Sequence, residues 1–211
     1  MRIQNLPPME IERESFRIIT AELGDRPLDP EQAPIIKRVI HTTADFDYAD
    51  NLYFSPDAVA LAKAAIQDGA TVVTDTQMAL AGINKRTLGR FGCEAHCYMS
   101  DEDVAAEAKR LGVTRARVSM DKAARLGDNV IFAVGNAPTA LFSICEMIRE
   151  GKLDPEMVIG VPVGFVNVVE AKEALMRLPV PYIVARGRKG GSNVAAAIVN
   201  AALYQILERE E

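Results

Sequence analysis

The stretch VIFAVGNAPTALFSICEMIREG, residues 130–151, decides the fold class. Five apolar residues, Val130 to Val134, read as a short buried strand. Gly135-Asn136-Ala137 then turns the chain, and residues 138–150 read as a helix in which Cys145 lies with Phe142, Ile144 and Met147 in the core. The same order recurs on both sides. Strands are expected at 71–74, 94–98, 157–161 and 182–185, with a short extended piece at 51–54. Helices are expected at 9–23, from Asp29-Pro30 through Ile40, and at 55–67, 101–111, 115–126, 166–178 and 191–208. Short apolar strands alternating with helices predict a three-layer α/β/α fold around a mostly parallel sheet, in one domain over residues 1–211. The arrangement is Rossmann-like but carries no dinucleotide fingerprint. No G-x-G-x-x-G opens a helix, and GRKGGSN lacks the P-loop order, which disfavours NAD, ATP and GTP.

Composition narrows the classes further. The chain has 211 residues, 49% of them hydrophobic, and a formal charge of -5. That is ordinary for a globular protein with a large core, and it argues against generic nucleic-acid binding. A locally basic pocket for an anionic small molecule remains compatible with an acidic surface. The N-terminal MRIQNLPPMEIERESF has no apolar h-region, and no apolar run approaches the roughly 20 residues that span a bilayer, so a cytoplasmic, membrane-free protein is expected. Three cysteines without a secretion signal make a disulfide framework improbable. The last helix is apolar almost all round, from Val194 to Leu203. Such a helix lies deep in a layer or in a subunit interface.

Ligands in folds of this class bind beyond the carboxyl ends of the strands. Three glycine-bearing loops follow strands here: Gly135 to Leu141, Gly160 to Asn167, and Arg186 to Asn193. Glycine lets the backbone approach a ligand, and free N–H groups at a helix start favour anions. The third loop adds Arg186, Arg188 and Lys189, which suit carboxylate or phosphate. The alternative is a set of ordinary turns beside a solvated basic corner.

Two clusters invite chemistry. In Cys93-Glu94-Ala95-His96-Cys97 an extended chain puts both cysteines on one face and His96 on the other, and no second Cys/His cluster completes a tetrahedral metal site, so no metal is expected. In RVIHTTADFDY, residues 38–48, Ile36, Val39 and Ile40 form an apolar stripe. Arg38 and His41, three apart, fall together on the opposite side. Spacing alone leaves His41 either a solvated helix-end residue or a catalytic one.

Taken together, RVIHTTADFDYADNLYFSPDAV (38–59), GNAPTALF (135–142), GVPVGFVNVVEAKEAL (160–175) and RGRKGGSNVAAAIVNAAL (186–203) resemble the precorrin-8X methylmutase family. The likeness runs from about Ile11 to the final helix. It implies an isomerase of cobalamin biosynthesis that moves the ring-C methyl group of a corrin precursor from C11 to C12. It also implies an α/β homodimer without a separate cofactor, any cobalt arriving in the substrate. The family's catalytic histidine falls on His41. Substrate contacts carry over to Ser15 and Arg38, and further to Asp75 and Thr76 in Asp75-Thr76-Gln77-Met78, to Arg115, Asn136 and Arg186, and to Gly187, Arg188, Gly190, Gly191 and Ser192. The wording HTTADFDY is more like the cobalt-precorrin-8 branch. A corrinoid carrier without catalysis would bear the same loops, and an unrelated nucleotide-using α/β enzyme is the third reading.

Overall fold

A computed structural model of the chain describes residues 7–207. Residues 1–6 and 208–211, which hold both ends of the expected 1–211 domain and the last residue of the expected 191–208 helix, lie outside them. The elements in order are α1 (Pro8–Leu23), α2 (Ala33–Thr43), α3 (Tyr48–Asn51), β1 (Leu52–Phe54), α4 (Ala58–Gln67), β2 (Thr71–Thr74), α5 (Gln77–Gly82), α6 (Lys85–Leu88), β3 (Ala95–His96), α7 (Glu102–Leu111), α8 (Arg115–Ala123), β4 (Val130–Val134), α9 (Pro138–Arg149), β5 (Met157–Gly160), α10 (Val168–Leu175), β6 (Tyr182–Ala185) and α11 (Ser192–Leu207).

The strands form one sheet in the order β1-β6-β5-β4-β2-β3. All pairings are parallel except β1 against β6. Strand β4 sits at its centre, buried along its whole length. Its side chains alternate between two cores: Ile131 and Ala133 face α2, α4, α5 and α11, while Val130, Phe132 and Val134 face α8, α9 and α10. This is the three-layer α/β/α sandwich that the sequence predicts. From β4 the chain winds through α9 and α10 to β5 and β6, whereas β2 passes through α5 to β3 in the other direction. The two directions carry their helices on opposite faces, α5 on one and α9 and α10 on the other, which places the topological switch point between β2 and β4.

Several boundaries differ from the sequence reading, each for a local reason. Helix α2 starts at Ala33, not Pro30, because Asp29 Oδ1 accepts the N–H groups of Glu31 and Gln32 and holds 30–32 as a turn. Asn167 adopts a left-handed conformation, φ 59°, so α10 opens at Val168. Helix α5, which the apolar pattern does not announce, begins where the Thr76 hydroxyl accepts the N–H of Ala79.

Helix α11 packs against α2, α4, α5 and the central strands. Its apolar circumference is covered within the chain, which decides between the two placements the sequence allows. Small residues make the approach possible: a Cβ on Gly82 would stand 2.8 Å from the Cβ of Ala196. Leu203 on this helix is fully buried. Leu203→Ala should lower the unfolding free energy by about 2–5 kcal/mol. Because the burial is intramolecular, denaturant unfolding should give the same loss at every protein concentration.

Candidate active site

The buried residues of α2, Ile35, Ile36, Val39 and Ile40, seat this helix on α11. That leaves Arg38 and His41 on its outer side, where α1 lies across it. The Phe16 ring of α1 stacks on the His41 imidazole, with centroids 5.2 Å apart and planes 18° from parallel. The Arg38 guanidinium lies 4.6 Å from the Phe16 centroid and 5.1 Å from that of Tyr204 on α11. It also bonds the Glu12 carboxylate. Arg38, His41, Phe16, Tyr204, Lys37 and Gln205 are among the residues that line a cavity of about 1040 Å³. Its mixture of aromatic walls and cations suits a large, flat, anionic ligand.

Past His41 the helix ends on Ala44, left-handed at φ 52°. The chain then presents Asp45 and Asp47, and each accepts a hydrogen bond from the Lys189 ammonium at 2.6 Å. The bond from Lys189 holds the Asp45 carboxyl below the usual carboxylate range, and the two aspartates raise the Lys189 ammonium in turn. Burial, helped by the Asp45 charge, pushes the Tyr48 phenol up to about 12. The end of the His41 helix is thus tied to the third glycine loop.

The three glycine loops touch one another at the carboxyl edge of the sheet. A Cβ on Gly135 would stand 2.7 Å from the Gly191 carbonyl oxygen, and one on Gly190 would stand 2.1 Å from that of Val161. Glycine is needed at both positions because backbone occupies the side-chain space. The Thr76 and Ser192 hydroxyls meet at 2.7 Å across the same junction.

Not every residue expected at the substrate is free to reach one. Asp75 is completely buried, and its carboxylate accepts the N–H groups of Gly135, Asn136 and Ala137 at 2.8, 2.8 and 2.6 Å. Burial raises its carboxyl despite these bonds, which oppose the shift. The N–H groups that the sequence reading offers to an anion in the 135–137 loop are therefore already taken. Two of the loop cations are occupied as well: Arg186 by Glu173, and Lys189 by the two aspartates. Arg188 lies over the Phe165 ring at 5.3 Å. The Ser15 hydroxyl donates to the Ile11 carbonyl within α1 at 2.8 Å. Arg115 opens α8, most of whose buried apolar residues belong to the core on the other face of the sheet from α2. Asn136 keeps an exposed side chain.

Cys93 and Cys97 are buried, as is Cys145, and His96 is bonded to Glu94 at 3.0 Å. Sequence reasoning missed Phe16, Glu12 and Tyr204. Phe16 carries a signal only in retrospect, as the aromatic next to Ser15.

The model of the precorrin-8X methylmutase family matches residues 10–205. The cobalt-precorrin-8 methylmutase of Priestia megaterium is 50% identical over 92% of this chain and 86% of its own. That of Salmonella typhimurium is 48% identical over 95% of this chain and 97% of its own. The crystal structure of precorrin-8x methyl mutase from Thermus thermophilus superposes with a TM-score of 0.89 at 43% identity, over 95% of this chain and 97% of that one.

The Asp75 arrangement makes a prediction. Asp75→Ala orphans three buried N–H groups at about 1–3 kcal/mol each. The variant should lose at least about 3 kcal/mol in chemical denaturation, with Asp75→Asn falling between it and the wild type.

Proposed function

The chain belongs to the precorrin-8X methylmutase family, isomerases of cobalamin biosynthesis, and from that premise we propose that it moves the ring-C methyl group of precorrin-8X or cobalt-precorrin-8 from C11 to C12, with His41 as proton donor. The observation that carries this reading is that His41 and Arg38 share the wall of one large cavity with stacked aromatic side chains. A 1,5-sigmatropic methyl shift, giving hydrogenobyrinate or cobyrinate, asks for no nucleophile from the protein. It gains from an electron-poor macrocycle. An imidazolium donating to the ring-C nitrogen or the adjacent conjugated system would supply that, a general-acid contribution of roughly 10²–10⁴-fold. Phe16 would fix the plane of the imidazole and so the direction of the proton. Arg38, held between Phe16, Tyr204 and Glu12, would meet a substrate carboxylate in a set orientation, with Glu12 yielding part of its hydrogen bonding.

The cobalt-bearing substrate is favoured by the HTTADFDY wording and by the relatives named cobalt-precorrin-8 methylmutase. No cofactor beyond the substrate enters this chemistry. We place the enzyme in the cytoplasm as a homodimer of single-domain chains. Exposed Phe165 and Val166 beside the third loop support a surface that a second copy covers, and among the described residues no helix is long and apolar enough to cross a membrane.

His41→Ala should lower kcat by roughly 10²–10⁴-fold while leaving the affinity for cobyrinate within a few-fold. Absorption spectroscopy with catalytic amounts of protein separates the outcomes. Unchanged turnover would exclude His41 as the acid, and product chromophore formed only at stoichiometric protein would make the wild type a corrinoid carrier.

A further inference from the structure

Lys172 on α10 is 1% exposed, and its ammonium donates to the carbonyls of Gly187 and Lys189, both at 2.8 Å. The Arg188 carbonyl between them accepts the N–H of Gly164. Three successive carbonyls of the third loop are thus engaged from behind. The N–H groups of Gly187, Arg188, Lys189 and Gly190 have no acceptor among the described residues, and Gly187 and Arg188 are exposed. The first loop is arranged in the opposite sense, with the N–H groups of residues 135–137 turned into the Asp75 carboxylate. One loop is held by its donors, and the other keeps its donors available.

The charge balance adds to this. No carboxylate pairs with Lys172 among the described residues, so its partners are dipoles alone. Burying a cation without a counter-ion is costly, and a chain that does so gains when an anion arrives nearby. Arg188 is likewise without a carboxylate partner. Successive free N–H groups backed by a buried cation form an anion-binding concavity.

Resting on the corrinoid reading above, the geometry points to a carboxylate site at the N–H groups of residues 187–190, for which the buried Lys172 ammonium is the counter-charge and the residue that positions the loop. The carboxylate is one of the acetate or propionate groups on the rim of the macrocycle. Lys172 does not touch it and acts through the loop. The 135–137 loop is excluded as an anion site and serves as scaffold.

Burial pushes the Lys172 ammonium down to about 8, and burial is the sole cause. None of the charged groups on the surrounding elements contributes: not Glu170 and Glu173 on α10, Arg186, Arg188 and Lys189 on the loop, or Glu146 and Arg149 on α9. An anion bound at the loop favours the protonated ammonium. Affinity for a carboxylate ligand therefore holds below pH 8 and falls as the pH rises above it. Lys189, raised by its two aspartates, stays charged through this range.

The test titrates wild type, Lys172→Gln and Lys172→Arg with cobyrinate and with its neutral, fully esterified derivative, by absorption, from pH 7 to 10. Wild type should bind cobyrinate more weakly above pH 8, with no such change for the ester. Lys172→Gln should weaken cobyrinate binding by roughly 10–100-fold, the effect of a unit charge several ångströms away at an effective dielectric of about 20. Its binding should be flat with pH and its affinity for the ester unchanged, and Lys172→Arg should recover most of the loss. Equal losses for both ligands, an unchanged cobyrinate affinity, or an alkaline fall that persists in Lys172→Gln would overturn the assignment. Should Lys172→Gln fail to fold, the wild-type titration decides: an alkaline fall confined to cobyrinate upholds the site, and a flat profile removes it. Wild type that binds neither ligand removes the corrinoid reading itself, whereas cobyrinate bound independently of Lys172 removes only this one.

Discussion

The Asp75 carboxylate is buried at the switch point between β2 and β4, and the layout of the carboxyl edge follows from what it must accept. A charge in that position needs donors, and side chains would crowd a junction where two strands part. The backbone N–H groups of the 135–137 loop supply them. That draws the loop in until Gly135 meets Gly191 and Ser192, with no room for a Cβ between them. The contact fixes the start of α11, and α11 seats α2. His41 therefore owes its position to a carboxylate it never touches, through a chain of packed backbone rather than any direct bond.

Opposite charges do opposite work at this edge. Asp75 takes up donors and leaves the first loop without free N–H groups. Lys172 takes up acceptors and leaves the third loop with them. Both side chains are more than nine-tenths buried, and both are shifted toward their neutral forms by burial. Glycine-rich sequence is shared by the two loops and cannot tell them apart. The buried charge behind each loop can.

The fold was legible because its strands are short, apolar and separated by helices. Val130 to Val134 could hardly be anything but the central strand. Boundaries shift where a side chain competes with the backbone, as Asp29 holds back the start of α2 and Thr76 begins a helix without an apolar stripe, and where the backbone turns left-handed, as Asn167 does before α10. At the site, helical spacing placed Arg38 and His41 on one face, since that depends only on neighbours along one helix. Phe16, Glu12 and Tyr204 come from α1 and α11, and no periodicity within α2 reports them. For Asp75 a motif conveys which residue matters but not that its carboxylate faces inward, onto the N–H groups of residues 135–137.

The pairing of the cations bears on how an acidic protein accommodates a polyanion. Arg38 is matched by Glu12, Arg186 by Glu173, and Lys189 by Asp45 and Asp47. Each of these pairs is at least partly exposed, where an ion pair contributes only about 0–1 kcal/mol. Exchanging a protein carboxylate for a substrate carboxylate at such a pair is then close to neutral in energy. It holds the side chain in place without demanding that the ligand be present. Net attraction must come from cations that have no carboxylate to lose, and at the third loop these are Arg188 and Lys172. The first lies exposed over the Phe165 ring, screened by solvent, whereas the second is buried, where its field is least attenuated. On the proposed reading, a lysine behind the loop carries the specificity for the carboxylate rim of the ligand, while the paired Arg38 in the cavity wall sets orientation.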